Sequence, residues 1–80
     1  MPLPKHVRQN IARNLWIMRE ARGLTRAGVA RGLGLSLETV TDFDKGGPLP
    51  SAAELRIMCR WYEFPVYNVF KHPNVWRTLH

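Results

Sequence analysis

The sequence predicts a single all-α domain of five helices. Three observations predict it: apolar residues recur at helical spacing in successive segments, Gly and Pro fall at the ends of those segments, and no stretch of strand length alternates at period two. Only the tail is left open to a short strand. The chain has 80 residues, room for one core, so 1–80 reads as one domain with a body over 5–71 and a tail over 72–80. A core this small is marginal alone, and association between copies is expected.

The first helix is expected from about Lys5 to Arg22, because Val7, Ile11, Leu15, Met18 and Arg22 share one stripe at 3.6-residue periodicity. Gly23 suits the left-handed position after it. Thr25 caps a second helix, Arg26 to Leu33, with Val29, Ala30 and Leu33 apolar and Gly34 as its stop. Ser36 caps a third helix through about Asp44, with Val40 and Phe43 inward. Gly46-Gly47-Pro48-Leu49-Pro50 forms a turn. Ser51 and Glu54 make a capping box for a fourth helix that buries Leu55, Met58, Cys59 and Tyr62. Pro65 opens a fifth, Pro65 to Lys71, with Val66, Val69 and Phe70 inward. Pro73 ends it, leaving a tail that carries Val75, Trp76 and Leu79.

Twelve Lys and Arg stand against six Asp and Glu, a formal charge of +6. A small basic domain favours polyanions, nucleic acid before membrane surface. No apolar run approaches the roughly 18 residues of a membrane span, and the basic residues are spread along the chain rather than gathered on one amphipathic face. The single cysteine, Cys59, allows no disulfide framework, and the polar start does not read as a secretory leader. A cytoplasmic protein without membrane contact is expected.

The most informative stretch is Gly23-Leu24-Thr25-Arg26 through Leu33-Gly34-Leu35-Ser36 to Phe43-Asp44-Lys45-Gly46. It encodes two short capped helices joined by a tight turn, the arrangement that packs one helix across another and presents the second to a groove. Here the chain resembles the phage-repressor (Cro-like, lambda-repressor-like) helix-turn-helix family, from about Ile11 to Phe70. The resemblance rests on Ile11, Leu15, Met18 and Arg19 in the first helix, and on Gly23-Leu24-Thr25 opening the second with Arg26 where the family has Gln. It continues in Phe43-Asp44-Lys45-Gly46 closing the third, Pro50-Ser51 opening the fourth, and Phe64 to Phe70.

That resemblance implies a five-helix fold and a DNA-binding transcriptional regulator, a repressor of phage or mobile-element type acting on a palindromic operator as a homodimer. It implies an ion pair between Arg19 and Asp44. It places Arg26, Arg31, Lys45, Gly46 and Ser51 against phosphates of double-stranded DNA, with the Gly46-Gly47 amides assisting Lys45. Leu37, Glu38, Thr39 and Asp42 would face the base edges, Leu37 toward a thymine methyl and the carboxylates toward cytosine N4. Lys5 and Arg8 would add affinity, and an arm over Pro2 to Lys5 is a further DNA contact to consider. Trp61, Val66, Tyr67 and Trp76 are the dimer candidates.

The third helix departs from the pattern. Three of the six acids, Glu38, Asp42 and Asp44, lie in it, and no Lys or Arg occurs between Gly32 and Asp44. Carboxylates entering a phosphate-lined groove lose Coulomb energy. Glu38 also fits a solvated first-turn position, where it complements the helix dipole. A second reading therefore stays open, a protein-interaction module on the same fold, such as an anti-repressor or a polymerase-binding factor. Gly28 and Gly32 inside helix two read as a weakened exposed face in preference to a close packing contact. Trp16 and Ile17 fall off the core stripe, and Ile57 and Trp61 form a second apolar pair. Trp76 is read either as a cover over Trp61 or as part of an association surface.

No enzyme is expected. His6, His72 and His80 read as surface residues with no nucleophile–base pair among them. Neither their spacing nor Cys59 fits a zinc site, and Cys59 reads as a small buried hydrophobe. No phosphate-cradling glycine loop is present, and neither a cofactor nor a metal is implied.

Overall fold

A computed structural model describes residues 3–77. The Pro2 end of the expected arm, together with Leu79 and His80 of the tail, lies outside the described residues. Four helices follow one another as expected: α1 Lys5–Ala21, α2 Arg26–Leu33, α3 Leu37–Lys45 and α4 Ala52–Trp61. A single 3₁₀ turn, Val66–Asn68, and a short α5, Pro73–Arg77, complete the chain. Among the described residues there is no strand.

Local chemistry sets these boundaries. The Thr25 and Ser36 hydroxyls accept from the Gly28 and Thr39 amides, and Ser51 and Glu54 form a reciprocal capping box. The helix ends share one pattern. After α2, Gly34 stands at φ +70° and the Leu35 amide reaches back to the Ala30 carbonyl, 2.9 Å. After α4 the same left-handed position is held by Glu63, φ 52°, while Phe64 N–H bonds to Cys59 O at 2.9 Å.

The core gathers Ile11 and Leu15 of α1, Val29 and Ala30 of α2, and Val40 and Phe43 of α3. Leu55, Met58, Cys59 and Tyr62 close it from α4 and its end. Arg22, placed on the α1 stripe by its spacing, is instead exposed. Its Nε donates to the Tyr62 carbonyl (2.9 Å) and Nη1 lies 2.9 Å from Glu63.

The C-terminal part differs from expectation. No helix runs from Pro65 to Lys71. Pro65 is extended, ψ 125°, and the following residues make i→i+3 bonds. Val69 is buried, but Val66 and Phe70 are exposed. The cause is a polar side chain that the apolar periodicity conceals. Asn14, fully buried on α1, donates from Nδ2 to the carbonyls of Val69 and Lys71, each at 2.8 Å, and more weakly to Asn68 at 3.3 Å. Asn10 takes the Phe70 carbonyl. The four carbonyls of 68–71 are thus turned toward α1. Pro73 does not end a helix but begins one, at the position where its missing N–H is harmless.

Trp76 is neither a cover for Trp61 nor a surface residue. It is buried, packs edge-on against Phe64 with ring centroids 5.0 Å apart, and donates its indole N–H to Asn14 Oδ1 at 2.9 Å. Trp61 lies instead on α2. A Cβ at Gly32 would stand 2.8 Å from its Cη2, so Gly32 serves a close packing contact rather than a weakened exposed face.

Candidate nucleic-acid interface

Helices α2 and α3 cross through a turn of three residues, Gly34-Leu35-Ser36, and α3 also packs on α1. Val40 and Phe43 anchor α3 inward, leaving its opposite side outward. Leu37, 53 % exposed, and Glu38 lie on that outer side. Glu38 stands in the first turn, where a carboxylate complements the helix dipole. Thr39 and Asp42 are half-buried, and the Thr39 hydroxyl lies 2.8 Å from the Ser36 hydroxyl.

Asp44 is drawn away from this surface. Its side chain is only 4 % exposed, and one oxygen, Oδ2, lies 3.2 Å from Arg19 Nη2 and 2.7 Å from Arg26 Nε. Arg19 is itself buried and donates from Nη1 to the Leu24 carbonyl. The carboxylate therefore joins the end of α3 to α1 and to the start of α2. The pairing of Arg26 with Asp44 has no counterpart in the sequence reading, which placed Arg26 against phosphate alone.

Apart from Lys45, which closes α3, the cations flank this helix rather than lie on it. Arg31 and Lys45 are exposed and make no ion pair among the described residues. Arg13 and Gln9 of α1 line a notch of about 230 Å³ with Lys45 and Gly46. Periodicity alone gives Arg13 no role, because only the packing of α3 on α1 brings it beside Lys45. Lys5 is exposed, whereas Arg8 donates to the Gly47 carbonyl at 3.1 Å and so fastens the turn after α3.

The Gly46-Gly47 amides are not available as phosphate donors. Gly47 N–H bonds to Asp42 O at 3.0 Å and Gly46 N–H points to Phe43 O, closing the end of α3. The expected phosphate role of Gly46 is corrected on that ground. Ser51 is exposed with its oxygen accepting from the Glu54 amide, which leaves its hydroxyl hydrogen for an outside acceptor.

Of the dimer candidates, Trp76 is removed by its burial in the monomer. Val66 and Tyr67 are exposed, Tyr67 by 66 % with Lys71 Nζ over its ring, and Trp61 keeps one edge outward.

Among the described residues no group of His, Cys, Asp and Glu has the arrangement of a metal site, and no helix is long and apolar enough to cross a membrane. Burial pushes the Cys59 thiol up to about 11, away from the range of a reactive thiolate. Burial, with the Asp44 carboxylate adding to it, likewise raises the Tyr62 phenol.

The geometry is that of a helix-turn-helix unit held on α1, and comparison with known families agrees. A family model described as a helix-turn-helix domain matches residues 11–67, more than half of the chain. The chain belongs to the helix-turn-helix domain family. No curated protein and no solved structure matches it. The matched segment begins at Ile11 and ends within the 3₁₀ turn, so it contains α2, α3 and the Arg19–Asp44–Arg26 cluster and leaves α5 outside.

Proposed function

We propose that this helix-turn-helix domain is a sequence-specific DNA-binding transcriptional regulator, a repressor of the kind found in phages and mobile elements. It binds a palindromic operator as a dimer and uses no cofactor. The observation that supports this reading best is the outward side of α3, anchored from behind by Val40 and Phe43 and flanked by the exposed cations Arg13, Arg31 and Lys45 and by the half-exposed Arg26. In this reading α3 enters the major groove, Leu37, Glu38, Thr39 and Asp42 meet base edges, and the cations with Ser51 hold the phosphates on either side. Exposed Val66 and Tyr67, with the outward edge of Trp61, supply the contact between copies.

Selection from a random duplex library near physiological salt tests it, because non-specific phosphate binding is weak there. Enrichment of a palindrome is expected. With roughly four phosphates neutralised per subunit, log affinity should fall with log salt at a slope of about −4 per subunit. A folded protein that enriches nothing, with a slope near zero, overturns the reading.

A second reading is favoured by the exposed Leu37 beside Glu38, an apolar and acidic start to α3 suited to a basic protein surface. It predicts that Glu38→Ala weakens a protein complex and leaves duplex binding unchanged.

A further inference from the structure

We infer that Asp44 is a positioning residue for DNA binding: it grips Arg26 by Nε and so presents the two terminal nitrogens of the guanidinium as a preset fork for one phosphate. The inference rests on the DNA-binding reading above and adds to it a role for a buried carboxylate that faces no DNA.

The geometry divides the functions of the cluster. Arg19 is buried, holds Asp44 at 3.2 Å and the Leu24 carbonyl at 2.8 Å, and neutralises the carboxylate inside the protein. Arg26 approaches the same Oδ2 from outside, at 2.7 Å, and does so through Nε alone. Its side chain is 39 % exposed, and neither Nη makes a hydrogen bond among the described residues. Arg19 Nη2 also lies 3.5 Å from the exposed Glu20, so the two arginines are matched by two carboxylates, and what the cluster offers an anion is the directed set of free donors on the exposed Arg26 guanidinium. An arginine held at Nε keeps four N–H donors in one plane, the set that meets a phosphate in bidentate fashion. Arg26 also borders an open notch of about 490 Å³, lined with it by Arg19, Glu20, Gly23, Leu24 and Thr25, which offers room for such an anion.

Lys would supply the charge at this position but not the fork, and a free Arg would lose side-chain freedom on binding that Asp44 has already removed. Asp44→Asn therefore has an expected effect opposite in sign to its charge. It raises the net charge by one, which by charge alone tightens binding to a polyanion. The positioning role predicts weaker binding.

The test is a double-mutant cycle of Asp44→Asn with Arg26→Lys, with affinity for a random-sequence duplex at low salt and for any enriched site as readout. Each variant is first shown folded by circular dichroism. Asp44→Asn is expected to weaken binding by about fivefold to tenfold with Arg26 present, and to leave it unchanged or tighter in the Arg26→Lys background. Equal weakening in both backgrounds, or tighter binding with Arg26 present, overturns the inference while leaving DNA binding intact. A wild type that binds no duplex removes the DNA reading and this inference with it. Should Asp44→Asn not fold, the wild type decides by NMR. The Arg26 Nε–H is expected to be protected from exchange in the free protein and to stay so on adding duplex, while the Nη signals move. An unprotected Nε–H, or one released on binding, overturns the inference.

Discussion

Between Lys5 and Gly46 each helix ends on bonds to its own last turn, whereas beyond Phe64 the chain is fastened by Asn14, which lies 55 residues from Val69 and 62 from Trp76 along the sequence. The first region is assembled from caps and left-handed stops whose partners are close in sequence. The second depends on one buried amide that accepts from an indole and donates to carbonyls. Local signals of the first kind are weak individually and survive the loss of any one. A buried polar hub concentrates stability in a single side chain, because its removal leaves several partners desolvated and unpaired at once.

The largest expected effect comes from Asn14→Leu. It strips partners from the Trp76 indole and from the Val69 and Lys71 carbonyls, and a loss of about 3 kcal/mol is expected in urea unfolding. Hydrogen exchange should accelerate first over the region from Phe64 to Trp76, with α2 and α3 still protected. A loss spread evenly over both regions would break the comparison.

Next is a mirror pair at two left-handed helix ends. Gly34→Ala meets no atom within 4 Å, so its cost is backbone strain alone, about 1 kcal/mol in thermal or urea melts. Glu63→Gly relieves the same strain at φ 52° and removes only an exposed pair with Arg22. A gain of about 0.5 kcal/mol is expected. Loss in both variants would show that the Arg22–Glu63 pair outweighs the strain.

The smallest effect is expected at the junction of the two regions. The Tyr62 hydroxyl is buried with no hydrogen-bond partner among the described residues, so Tyr62→Phe removes an unpaired buried polar group and should raise stability, by about 0.5 kcal/mol. A cost instead of a gain in the same melts would reveal a partner for the hydroxyl.

The legibility of the molecule in its sequence follows the same division. Thr25, Ser36 and Ser51 announce their helices, and Gly23, Gly34 and Gly46 their ends, because capping is a contact over three to five positions. Asn14 is invisible to a reading by apolar stripes, although it sits between Ile11 and Leu15 on the buried side of α1. A polar residue at that place is itself a signal for a distant partner. Gly32 was legible as a small residue but not as the seat of Trp61, since the contact joins two helices whose relative placement no local pattern encodes.

For the interface, sequence alone determined the helix-turn-helix unit, which side of α3 turns inward, and an excess of basic charge, all consequences of periodicity, capping and composition. Only the tertiary structure decided that Arg13 stands by Lys45, that Trp76 belongs to the core, and that Asp44 holds Arg26 as well as Arg19. The physical reason is common to these three. A contact between elements depends on the position of both partners in space, and that position is set by how α1, α2, α3 and the C-terminal segment pack, not by the spacing of residues within any one of them.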